Sequence, residues 1–230
     1  WHEIGIYDIP AMIDHITEQT KQEKIFLVTH SQGGTAFFVM ASERPEYQEK
    51  IIAHSALAPA VFMSRTGASL TKVLAFVTAN SNRILNLLDM YEIKSSDVLI
   101  PTAGKIACPK ESPLLPLCKG ILDLLFGFDE KLNTSALLPV FQYAPAGASI
   151  KQFAHYGQSG QSGRYSVVEH TAKFRQFDYG AADNMKKYGQ KQPPDYNLGN
   201  VSIPVDLYYG IKDVLADVQV CMADLQLVSN

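Results

Sequence analysis

Lys24-Ile25-Phe26-Leu27-Val28-Thr29-His30-Ser31-Gln32-Gly33-Gly34 is the stretch whose reading decides the fold. Lys24 to Thr29 reads as a short buried strand, a run of aliphatic and aromatic residues too short for a helix. His30 to Gly34 turns the chain, and Thr35 to Ser42, rich in Ala, Phe, Val and Met, reads as a helix. Upstream, Asp8 reads as the cap of a helix with Pro10 near its start. Ile9, Met12, Ile13 and Ile16 fall on one face of it, and it ends near Thr20. Downstream, Ile51 to Ala58 reads as another strand, stopped by Pro59. Helix, strand, tight turn, helix, strand is the order of a parallel sheet, so the chain belongs to the α/β class.

The pattern then changes. From Phe62 to Asn197 the segments are helical or irregular, with Leu-rich runs at Ile84 to Leu88 and Ile121 to Leu125. The Gly-Gln-Ser repeats of Gly157 to Gly163 read as a flexible loop and match no phosphate-binding glycine spacing. The strand pattern returns at Pro204 to Gly210, Asp213 follows it, and Asp217 reads as the cap of a further helix. The expected organisation is a partial α/β core from residues 1–61 and 198–230, interrupted by a largely helical insertion over 62–197.

Thr29-His30-Ser31-Gln32-Gly33 between strand and helix has the context of a nucleophile elbow, G-x-S-x-G with its first glycine replaced. Such a turn lifts the Ser31 hydroxyl over the C-terminal edge of the sheet. Small residues two before and two after the serine let strand and helix approach. Gly33 meets that need and Thr29, branched at Cβ, meets it poorly. The Gln32 N–H, at the helix start, is placed to meet a developing oxyanion. A serine hydroxyl is a weak nucleophile without an adjacent base. In elbow hydrolases the partners follow in the order Ser, Asp, His, which makes Asp213 the candidate carboxylate. The histidines are His2, His15, His30, His54, His155 and His170, and none follows Asp213. His30 reads as packing beside the turn, and His155 and His170 as loop or surface residues of the insertion. The catalytic His is absent from the chain.

Composition narrows the partners. Of 230 residues, 47% are hydrophobic and 19% charged. Twenty Lys+Arg against 23 Asp+Glu leave a net charge of −3, with no basic field for nucleic acid. No apolar run approaches the roughly 18 residues of a transmembrane segment. No cofactor or metal spacing occurs, so neither is expected. Cys108, Cys118 and Cys221 lack the spacing of zinc or redox motifs. Cys108 and Cys118 flank a Pro-rich loop and read equally as a disulfide or as two buried thiols. Asn133-Thr134-Ser135 and Asn200-Val201-Ser202 match the glycosylation acceptor pattern, which with the closable Cys loop favours a secreted or lumenal setting. Trp1 to Gly5 and Leu227 to Asn230 read as the interior of a domain, and the chain as a piece of a longer one.

At these residues the chain resembles the acid lipase family, which includes gastric lipase, lysosomal acid lipase and many insect relatives. The resemblance is carried by Trp1 to Gly5, Tyr7 to Ala11, His30 to Gly33, Phe37 to Tyr47 and Ala56 to Pro59. It continues through Gly127 to Asp129, Asn133 to Ser135, Phe174 to Gly180, Pro193-Pro194, Tyr209-Gly210 and Asp213 to Asp217. It implies an α/β-hydrolase core with a cap inserted between nucleophile and acid. It also implies a neutral lipid ester substrate (triacylglycerol or cholesteryl ester) met at a lipid–water interface, in a secreted or lysosomal setting. The family roles fall on Ser31 as nucleophile, Asp213 as acid and the Gln32 N–H as one oxyanion donor. Cys108 and Cys118 take the place of a cap disulfide, Cys221 is left as a free thiol, and Asn133 matches a glycosylation position. Four departures stand out. Family members extend upstream, where the second oxyanion donor lies, and downstream to a histidine in an Asn-His-Leu-Asp-like context. Thr29 stands where the elbow has glycine, and Gly157 to His170 is longer than the matching loop. The competing expectation is a catalytically inactive, lipase-like protein that binds or stores lipid.

Overall fold

The computed structural model describes residues 1–63, 92–93, 106–109, 111–126, 147–161, 173–210 and 213. In chain order the main elements are α1 (Ile9–Thr20), β1 (Ile25–His30), α2 (Gln32–Glu43), β2 (Ile51–Leu57) and β3 (Glu92–Ile93). They continue with α3 (Leu115–Phe126), β4 (Ala148–Ser149), α4 (Ile150–Gln161), α5 (Ala181–Tyr188) and β5 (Val205–Tyr208). The chain forms two compact units, Trp1–Thr66 with Gln158–Asn230, and Gly67–Gly157.

In the first unit β1, β2 and β5 form a parallel sheet in the order β1-β2-β5. Pairings such as Thr29↔Ala56 and Ala56↔Leu207 set the register. Because the strands are parallel, their C-terminal ends share one edge. α2 is buried from Gly34 to Ser42, the pattern of a helix enclosed on all sides. It covers the sheet face that carries Thr29 and His54, with the Phe37 and His54 ring centroids 3.7 Å apart. On the other face Phe26 is 71% and Val28 64% exposed. β1 is therefore half-covered rather than buried, because alternate side chains point to opposite faces and α2 shields only one.

Helix α1 differs from expectation at its start. A π-helical turn (Ile4–Asp8) runs into it, and Asp8 has helical dihedrals and no capping hydrogen bond. Gly5 explains the continuation: a Cβ there would stand 2.6 Å from Val39 Cβ, so the turn lies directly on α2. Ile9 and Ile13 are buried, whereas Met12 and Ile16 are exposed, and Lys21 ends the helix at φ 56°. Ser42 and Gln48 then tie residues 197–202 to this layer. Asn197 N–H donates to Ser42 Oγ (2.7 Å), Ser202 N–H to Gln48 Oε1 (2.8 Å) and Gln48 Nε2 to the Asn200 carbonyl (2.8 Å). Trp1, Phe174 and Tyr196 are buried together, Trp1 stacked on Phe174 at 5.5 Å between centroids.

The second unit contains the antiparallel pair β3–β4 and helix α3. Cys108 and Cys118 form a disulfide, with Cα atoms 5.4 Å apart. Ile106, Leu114 and Leu117 are exposed around that loop. Ser149 and Gln152 make a reciprocal capping box: Gln152 N–H donates to Ser149 Oγ and Ser149 N–H to Gln152 Oε1. The α4 helix then runs through Gly157 to Gln161, where a loop was expected. Gly160 gives a reason, since a Cβ there would lie 3.3 Å from the Met63 carbonyl oxygen, so its lack of a side chain admits a close backbone approach. His155 is correspondingly buried within this helix, not on a loop or the surface.

Candidate active site

Ser31 sits between the end of β1 and the start of α2 with φ 51° and ψ −116°. A non-glycine residue in that region costs about 1–3 kcal/mol and persists only where its surroundings over-determine it. They do so here. Ser31 N–H donates to the Leu57 carbonyl (2.9 Å), and the Ser31 carbonyl accepts from Gly34 N–H (3.0 Å) and Ala60 N–H (3.3 Å). The exit from β2 is itself held, with Ala58 at φ 46° donating to the Tyr208 carbonyl and Thr35 Oγ1 donating to the Ala60 carbonyl (2.7 Å). So β2 and β5 together grip the turn.

The strained geometry has a chemical consequence. A serine at a helix N-cap ordinarily accepts a hydrogen bond from an amide of the first turn. Ser31 makes no such bond, and among the described residues its hydroxyl has no hydrogen-bond partner. Ser31 is half-exposed at the C-terminal edge of the sheet. Gln32 opens a twelve-residue helix, so its N–H is among the amides that have no intrahelical acceptor and lies at the positive end of the helix dipole.

Glycines make the turn fit. A Cβ on Gly34 would lie 2.6 Å from Pro59 Cβ, and one on Gly33 3.2 Å from Thr29 Cβ. Thr29 therefore occupies the space under the first turn of α2, against residues that have no side chains. Its Oγ1 lies 2.8 Å from His54 Nε2, and His54 is fully buried. Burial pushes the His54 imidazole down to about 4. The sequence signal for this partner was a histidine in a mostly apolar strand, and local patterning gave no means of pairing it with Thr29.

Asp213 lies past the end of β5, its N–H donating to the Gly210 carbonyl (3.0 Å). Since β1 and β5 are parallel in one sheet, Ser31 and Asp213 belong to the same sheet edge, on either side of β2. The described histidines supply no base to Ser31. His2 Nδ1 is 2.8 Å from Tyr196 Oη, His15 is exposed on α1, and His30 points from the sheet face opposite Thr29. His54 and His155 are buried, and His170 lies outside the described residues. Asn200 Nδ2 donates to the Ser42 carbonyl (2.8 Å), while Asn133, Cys221 and the helix expected after Asp217 lie outside the described residues. Among the described residues no cluster of His, Cys, Asp and Glu could hold a metal ion, and no helix is long and apolar enough to cross a membrane.

No family model matches the chain. Individual proteins do. It is 39% identical over 217 residues to Lipase 3 of Drosophila melanogaster, a match covering 94% of this chain and 53% of that protein. It is 34% identical over 232 residues to gastric triacylglycerol lipase of Rattus norvegicus, covering 99% of this chain and 55% of that one. The Homo sapiens gastric triacylglycerol lipase is 33% identical over 219 residues, with 94% and 52% covered. A monoacylglycerol lipase structure from Paleococcus ferrophilus aligns at 16% identity with a TM-score of 0.45, covering 97% of this chain and 61% of that one. The chain spans about half the length of the curated relatives it matches. Along nearly its whole length, then, the chain is similar to lipases of the gastric and Drosophila kind, and its parallel sheet with a strand–turn–helix at Ser31 is of the α/β class.

Proposed function

We propose that the whole protein is a serine carboxylic-ester hydrolase acting on neutral lipid esters, triacylglycerol or cholesteryl ester, with Ser31 as its nucleophile. The observation that carries this reading is the Ser31 backbone, held at φ 51° with its hydroxyl committed to no capping bond. A turn that only joined β1 to α2 has no need of such strain. Ser31 Oγ attacks the ester carbonyl and the alcohol leaves, giving an acyl-enzyme that water then cleaves. Asp213 orients a histidine contributed from outside this chain, which takes the serine proton and passes it to the leaving alcohol. The Gln32 N–H stabilises the tetrahedral oxyanion, an interaction worth about 3 kcal/mol per donor.

Residues 62–197 are read as the inserted cap domain, of which Gly67–Gly157 form a compact unit of their own. The exposed Ile106, Leu114 and Leu117 beside the Cys108–Cys118 disulfide supply an apolar surface suited to a lipid–water interface. The disulfide also favours an oxidising, secreted or lysosomal setting, where glycans on Asn133 and Asn200 would be added. The test is hydrolysis of long-chain and short-chain esters by the full-length protein, with an active-serine phosphonate as probe. Turnover and labelling that are lost in Ser31→Ala are expected. Absence of both refutes the reading, and lipid binding without turnover would establish the inactive lipid-binding protein instead.

A further inference from the structure

We propose that Thr29 and His54 are positioning residues for Ser31, a hydrogen-bonded pair beneath the nucleophile turn that holds it in its reactive shape. This rests on the ester-hydrolase reading above and adds two residues to it. Neither side chain reaches the reacting atoms; both act through the backbone of the turn.

Thr29 is wedged between two layers. Its Cβ and Cγ2 lie 3.2 Å and 3.7 Å from the position of a Cβ on Gly33, and its Oγ1 lies 3.6 Å from that on Gly34. On its other side Oγ1 meets His54 Nε2 at 2.8 Å. The His54 ring is fixed in turn, fully buried with Phe37 at 3.7 Å and Phe38 at 6.2 Å between centroids. Its backbone N–H donates to the Pro204 carbonyl, which ties β2 to the entry of β5. Thr29 thus transmits the position of β2 to the first turn of α2, the two structures between which Ser31 is suspended. A glycine at position 29 would leave that space empty and the ring without its partner.

The tautomer follows from burial. His54 Nδ1 is buried and, among the described residues, has no hydrogen-bond partner. A proton on Nδ1 would be an orphaned N–H in the core, which is rarely tolerated. The proton therefore sits on Nε2, and Nε2–H donates to Thr29 Oγ1. The Thr29 hydroxyl from β1 and Phe37 and Phe38 from α2 meet the ring, and its cross-strand neighbours are Leu27 of β1 and Val205 of β5, none of them charged. Burial alone holds the imidazole down to about 4, so the pair is neutral over the range in which a serine–histidine hydrolase works.

The test uses the full-length protein, with kcat and KM for a short-chain ester, the rate of Ser31 phosphonylation, and selectively labelled histidine NMR. Thr29→Val and His54→Phe each should lower kcat about tenfold with KM within about twofold, as expected when a nucleophile is displaced by a fraction of an ångström. The double variant should be no slower than the worse single one, since both remove one interaction. Thr29→Ser, which keeps the hydroxyl, should restore at least about half of the wild-type kcat. The His54 Nε2–H tautomer should be seen in the wild type and lost in Thr29→Val. If Thr29→Val does not fold, Thr29→Ala removes the same hydroxyl and is read in its place. A wild-type kcat in Thr29→Val despite a lower melting temperature would make the pair merely structural and overturn the proposal, as would multiplicative losses in the double variant. A wild type with no Ser31-dependent turnover would instead sink the ester-hydrolase reading, and this inference with it.

Discussion

Adding one methyl group at Gly34 tests whether the grip on Ser31 is as tight as its geometry implies. A Cβ at that position lies 2.6 Å from Pro59 Cβ and 3.2 Å from Pro59 Cα. Carbon atoms pack best at about 3.5–4.0 Å, so a gap of about 1 Å must open between α2 and the exit of β2. Neither side yields easily. Pro59 lies between Ala58, at φ 46° and bonded to Tyr208, and Ala60, bonded to Ser31 and Thr35. α2 is enclosed along its length. Overpacking of this kind costs about 1–3 kcal/mol, and alanine recovers up to about 1 kcal/mol over glycine in a helix. Net destabilisation of about 1–2 kcal/mol is expected, a fall of a few degrees in melting temperature. The effect on reactivity is larger, because the Ser31 carbonyl is bonded to both Gly34 N–H and Ala60 N–H and cannot stay on both when they separate. A displacement near 1 Å is worth about 100-fold in rate. Phosphonate labelling of Ser31 in full-length Gly34→Ala, scaled to the folded fraction, should fall by that order. Gly33→Ala, facing the more forgiving 3.2 Å contact with Thr29 Cβ, should lose less. Labelling of Gly34→Ala within about twofold of wild type would refute the claim that the turn is held by these contacts.

Three other outcomes follow from buried groups and the cross-link. His54 has its folded value lowered from 6.5 to about 4, so between those pH values the unfolded state binds a proton that the native state refuses. Stability should therefore be full above pH 6.5, fall as pH drops towards about 4 and level off below it, by at most about 3 kcal/mol. Urea midpoints at pH 7 and pH 4.5 should differ less in His54→Phe than in the wild type, and an unchanged difference counts against this assignment. Asn184 is fully buried, with Nδ2 donating to Asp178 Oδ1 (2.7 Å) and the Lys191 carbonyl (2.9 Å), and Oδ1 accepting from Tyr179 N–H (2.9 Å). Asn184→Ala strands those partners and should destabilise the first unit by about 3 kcal/mol in equilibrium unfolding; a loss under about 0.5 kcal/mol would show that water replaces the amide. Replacing both Cys108 and Cys118 by Ser opens a loop of sequence separation 10, which chain entropy values at about 3 kcal/mol. Proteolysis of residues near that loop should accelerate in the double variant, and an unchanged rate would mean that packing alone holds it.

What could be read from the sequence was whatever depends on near neighbours. The apolar run before His30-Ser31-Gln32-Gly33, the glycines after it and the second strand at Ile51 placed the parallel core and the elbow, because periodicity and turn chemistry are local. The elements that departed from expectation each answer to a residue far along the chain. Gly157 to Gln161 had the composition of a loop, yet these residues are helical, and Gly160 lies close against the Met63 backbone. Asp8 had the makings of a cap, yet the helix continues back to Ile4 because Gly5 lets the turn lie on Val39. Thr29 looked unsuited to an elbow when judged by its own Cβ. Its hydrogen-bond partner is His54, 25 residues on, and its steric partners are two glycines that present no side chain. A departure from the elbow pattern at one position is thus matched by three residues elsewhere, as the proposed nucleophile role of Ser31 requires. On the proposed nucleophile role, the conformation at φ 51° keeps the hydroxyl from capping α2, the cheaper use of a serine at that position.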